Sequence, residues 1–285
     1  MKKLLKSSTL SLHKCSFENP AEFVKTGLAF LKEAGFDVAD MSIGVLLLGQ
    51  WQTLVEQALK DAEELKIPFK ICHLPYFSEK INTDPEYAKL CTQRMFQAID
   101  AAKALGVEYA VLHPNTTTVT VRAFNRTREY DTVMGHLSPI AEYAAKAGVN
   151  VVAENMRLVP GIRQSHRYCQ DPDELCEVAD ALGIGVCWDF GHANLSGYKQ
   201  SEALAYVGKR LKVLHVNDNL GADDDHLAPF MGNVDWVDAM HGLALAGFDG
   251  SINYEVGASR IPAELRKDFA KYLADAADKL MEYIV

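Results

Sequence analysis

With 285 residues, of which 48% are hydrophobic and 24% charged, the chain has the profile of an ordinary globular enzyme and the length of one eight-fold barrel. A formal net charge of −9 provides no overall basic footprint for nucleic acid. Lys6, Ser7, Ser8 and Thr9 interrupt the leader-like start at Met1, and no stretch approaches the roughly 18 apolar residues of a spanning helix, so a cytoplasmic protein without a membrane partner is expected.

Short runs rich in Val, Ile and Ala alternate with longer segments of helical period. In chain order the sequence predicts a strand over Thr9 to Leu12, a helix over Ala21 to Ala34, a strand over Val38 to Met41 and a helix over Trp51 to Leu65. The next strands are expected at Phe69 to His73, Tyr109 to His113 and Asn150 to Glu154, with helices at Pro85 to Leu105 and Tyr130 to Ala147 between them. Then come a helix over Pro172 to Leu182, a strand over Gly185 to Asp189, a helix over Glu202 to Val207 and a strand over Lys212 to Val216. A helix over Trp236 to Ala246, a strand over Ser251 to Glu255 and a last helix from about Pro262 to Met281 complete the series. Asn19, Asp84 and Asp171 each precede a proline and read as helix caps, while Gly35, Gly106, Gly148, Gly183 and Gly247 read as stops.

Eight such alternations, with crossovers too long for hairpins, predict an α/β protein folded as one (β/α)8 TIM barrel over residues 1–285. The open doubly wound sheet is the structural competitor. The six cysteines (Cys15, Cys72, Cys91, Cys169, Cys176 and Cys187) form no CxxC pair and read as reduced thiols. Cys72 and Cys187 lie in apolar runs, where a thiol behaves as a small hydrophobe.

Barrel enzymes build their sites from the C-terminal ends of the strands, and six predicted strands end on His73, His113, Glu154, Asp189, His215 and Glu255. Each closes a run that would otherwise pass as core, and the two-residue period lets each point into the barrel mouth. A single histidine at such a place is more often a satisfied core or surface residue than a ligand. Six together put carboxylates and imidazoles in one cavity, where a cation relieves their repulsion. His192, Asp224 and His226 follow in the adjoining loops. Mixed histidine and carboxylate donors suit Zn, Mn, Co or Fe(II) better than an all-oxygen calcium site. Arg122, Arg126, Arg128, Arg163 and Arg167 crowd two of the loops; a clamp for a phosphate or carboxylate is one reading of them and solvated charge the preferred one, with Arg163 retained as a candidate for an anionic group. Trp51, Trp188 and Trp236 read as packing residues. No GxxxxGK[ST] loop, GxGxxG turn, HExxH helix or GxSxG elbow is present.

At these residues the sequence resembles the xylose isomerase-like barrel superfamily, which includes sugar and sugar-phosphate isomerases and epimerases and endonuclease IV. The resemblance rests on His73-Leu74-Pro75-Tyr76, Glu154-Asn155, Asp189-Phe190-Gly191-His192, His215-Val216-Asn217-Asp218, Asp224-Asp225-His226 with Gly232-Asn233, and Glu255. It implies one divalent metal (Zn, Mn or Co) held by Glu154, Asp189, His215 and Glu255. In the endonuclease-like branch, further ions would use counterparts of His73, His113, His192, Asp224 and His226.

The resemblance implies a metal-dependent isomerase or epimerase acting on a small sugar or sugar phosphate. Glu154 and Glu255 would exchange a proton with the substrate through an enediolate. His192 and His226 would hold substrate oxygens or a second ion. The alternatives are an abasic-site phosphodiesterase, against which the acidic balance argues, and a sugar-binding barrel without turnover. Assembly of copies through the outer helices stays open, since the sequence offers no defined interface.

Overall fold

Eight parallel strands follow one another around a ring, each returned to its start by a helix on the outside. The computed structural model describes residues 3–13, 18–48, 50–114, 116–159 and 165–284; Met1, Lys2, Cys15 and Arg163 lie outside them. The strands are β1 (Leu5–Thr9), β2 (Val38–Ser42), β3 (Phe69–His73), β4 (Tyr109–Leu112), β5 (Val151–Glu154), β6 (Gly185–Asp189), β7 (Leu211–His215) and β8 (Ser251–Tyr254). The principal helices are α1 (Pro20–Ala34), α2 (Trp51–Leu65), α3 (Pro85–Leu105), α4 (Arg126–Ala147), α5 (Pro172–Leu182), α6 (Gln200–Val207), α7 (Trp236–Ala246) and α8 (Arg266–Glu282). This is the expected (β/α)8 architecture.

The strands hydrogen-bond in the order β8-β1-β2-β3-β4-β5-β6-β7, all in parallel register. The ring is completed between β7 and β8 just past their ends. There Val216 bridges Tyr254, the Val216 N–H donating to the Asn253 carbonyl at 2.8 Å and the Glu255 N–H to the Val216 carbonyl at 3.3 Å.

Inside the ring, Ile71, Val111, Val152, Cys187 and Val213 pack as one buried layer. Removing a Val or Ile side chain of this kind from water stabilises the fold by about 1.5–3 kcal/mol. Two residues farther along the same strands stand His73, His113, Glu154, Asp189 and His215. The strand period that seals the barrel therefore also aims these side chains into its mouth.

Local sequence accounts for most element boundaries. Asn19 and Asp84 cap α1 and α3 by accepting backbone N–H groups. Asp171 occupies the corresponding place before α5 without a side-chain cap bond. The glycines read as stops at the ends of α1, α3, α4, α5 and α7 all take left-handed φ. Helix α4 begins at Arg126 rather than Tyr130 because Asn125 caps it, accepting the Arg128 N–H at 3.0 Å.

The first strand differs from expectation. It covers Leu5–Thr9, and Leu10–Leu12 form a 3-10 turn with both leucines buried. Ser7 and Ser8 read as a polar break, yet both are fully buried in the ring, and Lys6 carries its charge outward to Asp278. Short helices at Ile43–Leu46 and Phe190–Leu195 and an antiparallel pair, Val119–Thr120 with Ser165–His166, are additional features of the loops.

Candidate metal centre and its pocket

Glu154 ends β5, Asp189 ends β6, His215 ends β7 and Glu255 follows β8 by one residue. One donor atom from each lies within 4.8 Å of the others. His215 Nδ1 is 3.2 Å from Glu154 Oε2, 2.9 Å from Glu255 Oε2 and 4.0 Å from Asp189 Oδ2. Glu154, Asp189 and His215 are buried, whereas the Glu255 side chain keeps 27% exposure and opens the group toward the mouth.

Both ring nitrogens of His215 and both carboxylate oxygens of Glu154 are buried without a hydrogen-bond partner. Each such group is unfavourable by about 1–3 kcal/mol when left unmatched. A divalent cation in contact with all four side chains would satisfy the Glu154 oxygens and His215 Nδ1, so the donors present fit a Zn, Mn or Co ion. The Cys187 thiol lies beneath the same cluster. Burial pushes its pKa up, so without an ion it stands as a protonated thiol on the floor of the site.

The carboxylates have separate acid–base characters. Burial would raise Glu154, but His215 and His113 override it and bring its pKa to about 2. Burial prevails at Asp189, whose pKa rises to about 6. Glu255 is held well below the carboxylate range because His215 and His73 outweigh its burial.

A surrounding layer of polar side chains fixes these groups. Asp189 Oδ1 accepts the His192 N–H at 2.7 Å, and its Oδ2 accepts from Asn217 Nδ2 at 2.7 Å. Gly191 is required beside that amide, since a Cβ there would fall 1.9 Å from Asn217 Oδ1. Asp218 lies behind, accepting from the N–H groups of Asn219, Phe230 and Val234 and from Trp236 Nε1. In His215-Val216-Asn217-Asp218, the aspartate therefore shapes the following loop and does not enter the metal group.

The remaining candidates form two flanks. On one side His73 stacks on His215 with ring centroids 4.4 Å apart, and its Nδ1 contacts Asp40 Oδ1 at 3.0 Å. Burial disfavours a charged His73, but Asp40 more than compensates and its pKa climbs to about 10. Asp40 in turn accepts from Asn253 Nδ2 at 2.8 Å. Nearby, His113 Nε2 is 3.2 Å from Glu154 Oε2. Burial lowers the pKa of His113 despite Glu154.

On the other side, His192 Nδ1–H donates to the Asn155 carbonyl at 2.8 Å and His226 Nδ1–H to the Glu255 carbonyl at 2.7 Å. Their Nε2 atoms face Asp224 Oδ2 at 3.6 and 3.3 Å, and Arg157 Nε approaches the same oxygen at 3.1 Å. Burial opposes charge on both rings, yet their carboxylate neighbours push His192 to about 9 and His226 to about 10. Burial alone would raise Asp224; the two histidines instead hold it far below the carboxylate range.

Two cavities meet at Tyr76, His113 and Glu255. One, of about 510 Å³, extends from Thr9 and Phe23 past His73. The other, of about 230 Å³, reaches between Arg157, Arg167, His192 and Asp224. Every described candidate thus belongs to one mouth, whereas Arg163 lies outside the described residues.

Sequence reasoning assigned no site role to Asp40 or Arg157, and preferred solvated charge to an anion clamp for Arg167. A charge interrupting the apolar strand at Asp40 was an available signal; Arg157, three positions after Glu154, offered less. Arg126 and Arg128 match the solvated reading, pairing at the surface with Asp173, Glu177 and Glu129. Arg167 departs from it, being only 7% exposed. Trp188 packs as expected, with its Nε1 donating to Gln200.

The profile of the xylose isomerase-like TIM barrel family matches residues 28–280. The chain belongs to this family. A relative, the uncharacterized protein MJ1311 of Methanocaldococcus jannaschii, is 29% identical over 234 residues, covering 79% of this chain and 75% of its own. D-psicose 3-epimerase of Clostridium cellulolyticum H10, solved with D-tagatose, superposes with a TM-score of 0.77 at 14% identity, over 98% of this chain and 99% of its own. D-allulose 3-epimerase of a Methylomonas species, in complex with D-allulose, gives 0.75 at 17% identity, over 100% and 98%. At these identities the likeness of this xylose isomerase-like barrel to the two epimerases is one of fold. Among the described residues no helix is long and apolar enough to cross a membrane.

Proposed function

We propose that the protein is a divalent metal-dependent isomerase or epimerase of a small keto sugar or sugar phosphate. The observation that carries this reading is the placement of two glutamates beside one imidazole nitrogen. Glu154 Oε2 and Glu255 Oε2 lie 3.2 and 2.9 Å from His215 Nδ1; Glu255 lines both cavities and Glu154 the smaller one. The fold shared with sugar 3-epimerases supports the same chemistry.

Glu154, Asp189, His215 and Glu255 would hold the metal, which when bound supplies Lewis-acid polarisation of a carbonyl and an adjacent hydroxyl. One glutamate takes the proton from the carbon beside the carbonyl, and the C–H electron pair moves toward the carbonyl oxygen to give an enediolate. The other glutamate, having taken a proton from solvent, delivers it to the opposite face of that carbon and inverts the centre, or to the former carbonyl carbon while the neighbouring hydroxyl loses its proton and becomes the new carbonyl; the first glutamate releases its proton to solvent. Glu154 is buried and Glu255 partly open, so the two approach substrate from different surroundings. His73, His113 and His226 line the space for substrate oxygens.

The phosphodiesterase reading requires Asp224 to serve further ions. Asp224 Oδ2 already has the Arg157 guanidinium at 3.1 Å, and that fixed positive charge disfavours an additional cation there. The decisive experiment follows incorporation of solvent deuterium into ketoses by the metal-loaded protein. Deuterium should enter at the carbon next to the carbonyl, and Glu154→Gln and Glu255→Gln should each abolish exchange while leaving the circular dichroism spectrum intact. Full exchange in the double variant would refute the two-glutamate mechanism.

A further inference from the structure

We infer that the substrate carries a terminal oxyanion, a carboxylate or a phosphate, which docks on Arg167; this builds on the isomerase reading and specifies its substrate class. Arg167 is 7% exposed and lines the cavity of about 230 Å³ together with Glu154, His192 and Glu255. Its Nε is buried without a partner. Its side-chain hydrogen bond among the described residues is a long one, from Nη2 to the Tyr76 hydroxyl at 3.5 Å.

Four of the other described arginines have carboxylates, and Arg94, Arg122 and Arg260, which have none, are exposed to solvent, unlike Arg167. Arg157 meets Asp224, Arg126 meets Asp173 and Glu177, Arg128 meets Glu129, and Arg210 meets Asp180. No described carboxylate pairs with Arg167 within 4.0 Å, and the residues outside the description include no Asp or Glu.

A guanidinium keeps its proton in proteins, so Arg167 cannot relieve this burial by becoming neutral. Its forked donors match the paired oxygens of a carboxylate or phosphate. The surrounding backbone holds it there. Ser165–His166 pair with Val119–Thr120, the Gln170 N–H donates to the Arg167 carbonyl, and the Met156 N–H donates to the carbonyl of Cys169. The guanidinium thus faces the carboxylate–imidazole group from a fixed wall. A ketose reaching that group across the mouth would place its far end against Arg167.

The test begins with inorganic phosphate and acetate titrated calorimetrically into the protein as purified and into Arg167→Gln and Arg167→Lys. Binding of either anion by the wild type, weakened on the order of 100-fold in Arg167→Gln and partly restored in Arg167→Lys, is the expected result. The anion that binds identifies the group. No binding of either by the wild type, or equal binding by Arg167→Gln, would overturn the inference.

A second measurement compares kcat/KM of the metal-loaded enzyme on a ketohexose, its terminal phosphate and the matching keto acid. The wild type should prefer one charged substrate, chiefly through a lower KM, and that preference should collapse in Arg167→Gln. Turnover of the neutral ketose with no preference for charge would overturn the anion site and leave the isomerase reading standing. Arg167-dependent phosphate or acetate binding without turnover of any ketose would support the anion site and reject the isomerase reading.

Discussion

Asn155 grips the backbone of Asp189 on both sides: its Oδ1 accepts the Asp189 N–H at 2.6 Å and its Nδ2 donates to the Asp189 carbonyl at 3.0 Å. The Asn155 carbonyl also receives His192 Nδ1–H. One side chain and one peptide group therefore register the ends of β5 and β6 against each other.

Asn155→Asp keeps the shape of this clamp but removes its donor and sets a further carboxylate beside Asp189. We expect a loss of about 1–3 kcal/mol of stability. Metal affinity should fall by about 10–100-fold, as when support to a ligand is lost. Chemical denaturation and competition with a chelating dye measure the two effects; wild-type affinity in the variant would show that Asp189 is positioned by other contacts.

Two glycines make a paired test of how the loops are packed. A Cβ at Gly191 meets the Asn217 amide, whereas one at Gly232 falls 2.2 Å from Asp218 Oδ1 and 2.3 Å from the Asn219 carbonyl. Gly191→Ala should displace Asn217 from Asp189 and weaken metal binding. Gly232→Ala meets backbone and should mainly lower the melting temperature, by an overpacking penalty of about 1–3 kcal/mol. Equal effects of the two substitutions on metal affinity would contradict this division.

Much of the architecture is legible in the sequence because two periods alternate cleanly. A strand such as Val151–Glu154 is apolar until its final carboxylate, so the residue that breaks the pattern is also the residue at the mouth. The first strand is harder to read, since Ser7 and Ser8 resemble a loop yet are fully buried within the strand. Asp40 is obscured for the opposite reason: its single charge lies inside an apolar run and gains meaning only through His73 and Asn253 on other strands. Arg167 shares its loop with solvent-like polar neighbours. The pairing of Ser165–His166 with Val119–Thr120 is a long-range event that no local pattern announces.

Removing the metal should expose the mismatch among the four ligand side chains. Exhaustive chelation is expected to lower the melting temperature, and readdition of Zn, Mn or Co should restore it in proportion to affinity. Free ion at 100 times its dissociation constant corresponds to about 2.7 kcal/mol. An identical melting curve before and after verified metal removal would argue against a structural contribution from the ion.

At the surface, Glu177 accepts from Arg126 and from the Tyr168 hydroxyl. Arg126 is the main cause holding the Glu177 pKa below its ordinary 4.5. A depressed carboxylate contributes stability above its unfolded value and loses it as pH falls through the lower folded value. Arg126→Ala should therefore lower stability at neutral pH, by no more than about 1 kcal/mol for so exposed a pair. The gap to wild type should close on acidification; calorimetry across the carboxylate range would reveal a pH-independent gap if the pairing were irrelevant.

The bridge between Val216 and Tyr254 joins the ring between two prospective ligands, His215 and Glu255. An ion held by both would act as a clasp across the seam, tying barrel closure to cofactor occupancy. Amide protons of Val216 and Glu255 would then exchange fastest in the stripped protein, and the barrel would begin to open beside the chemistry it serves.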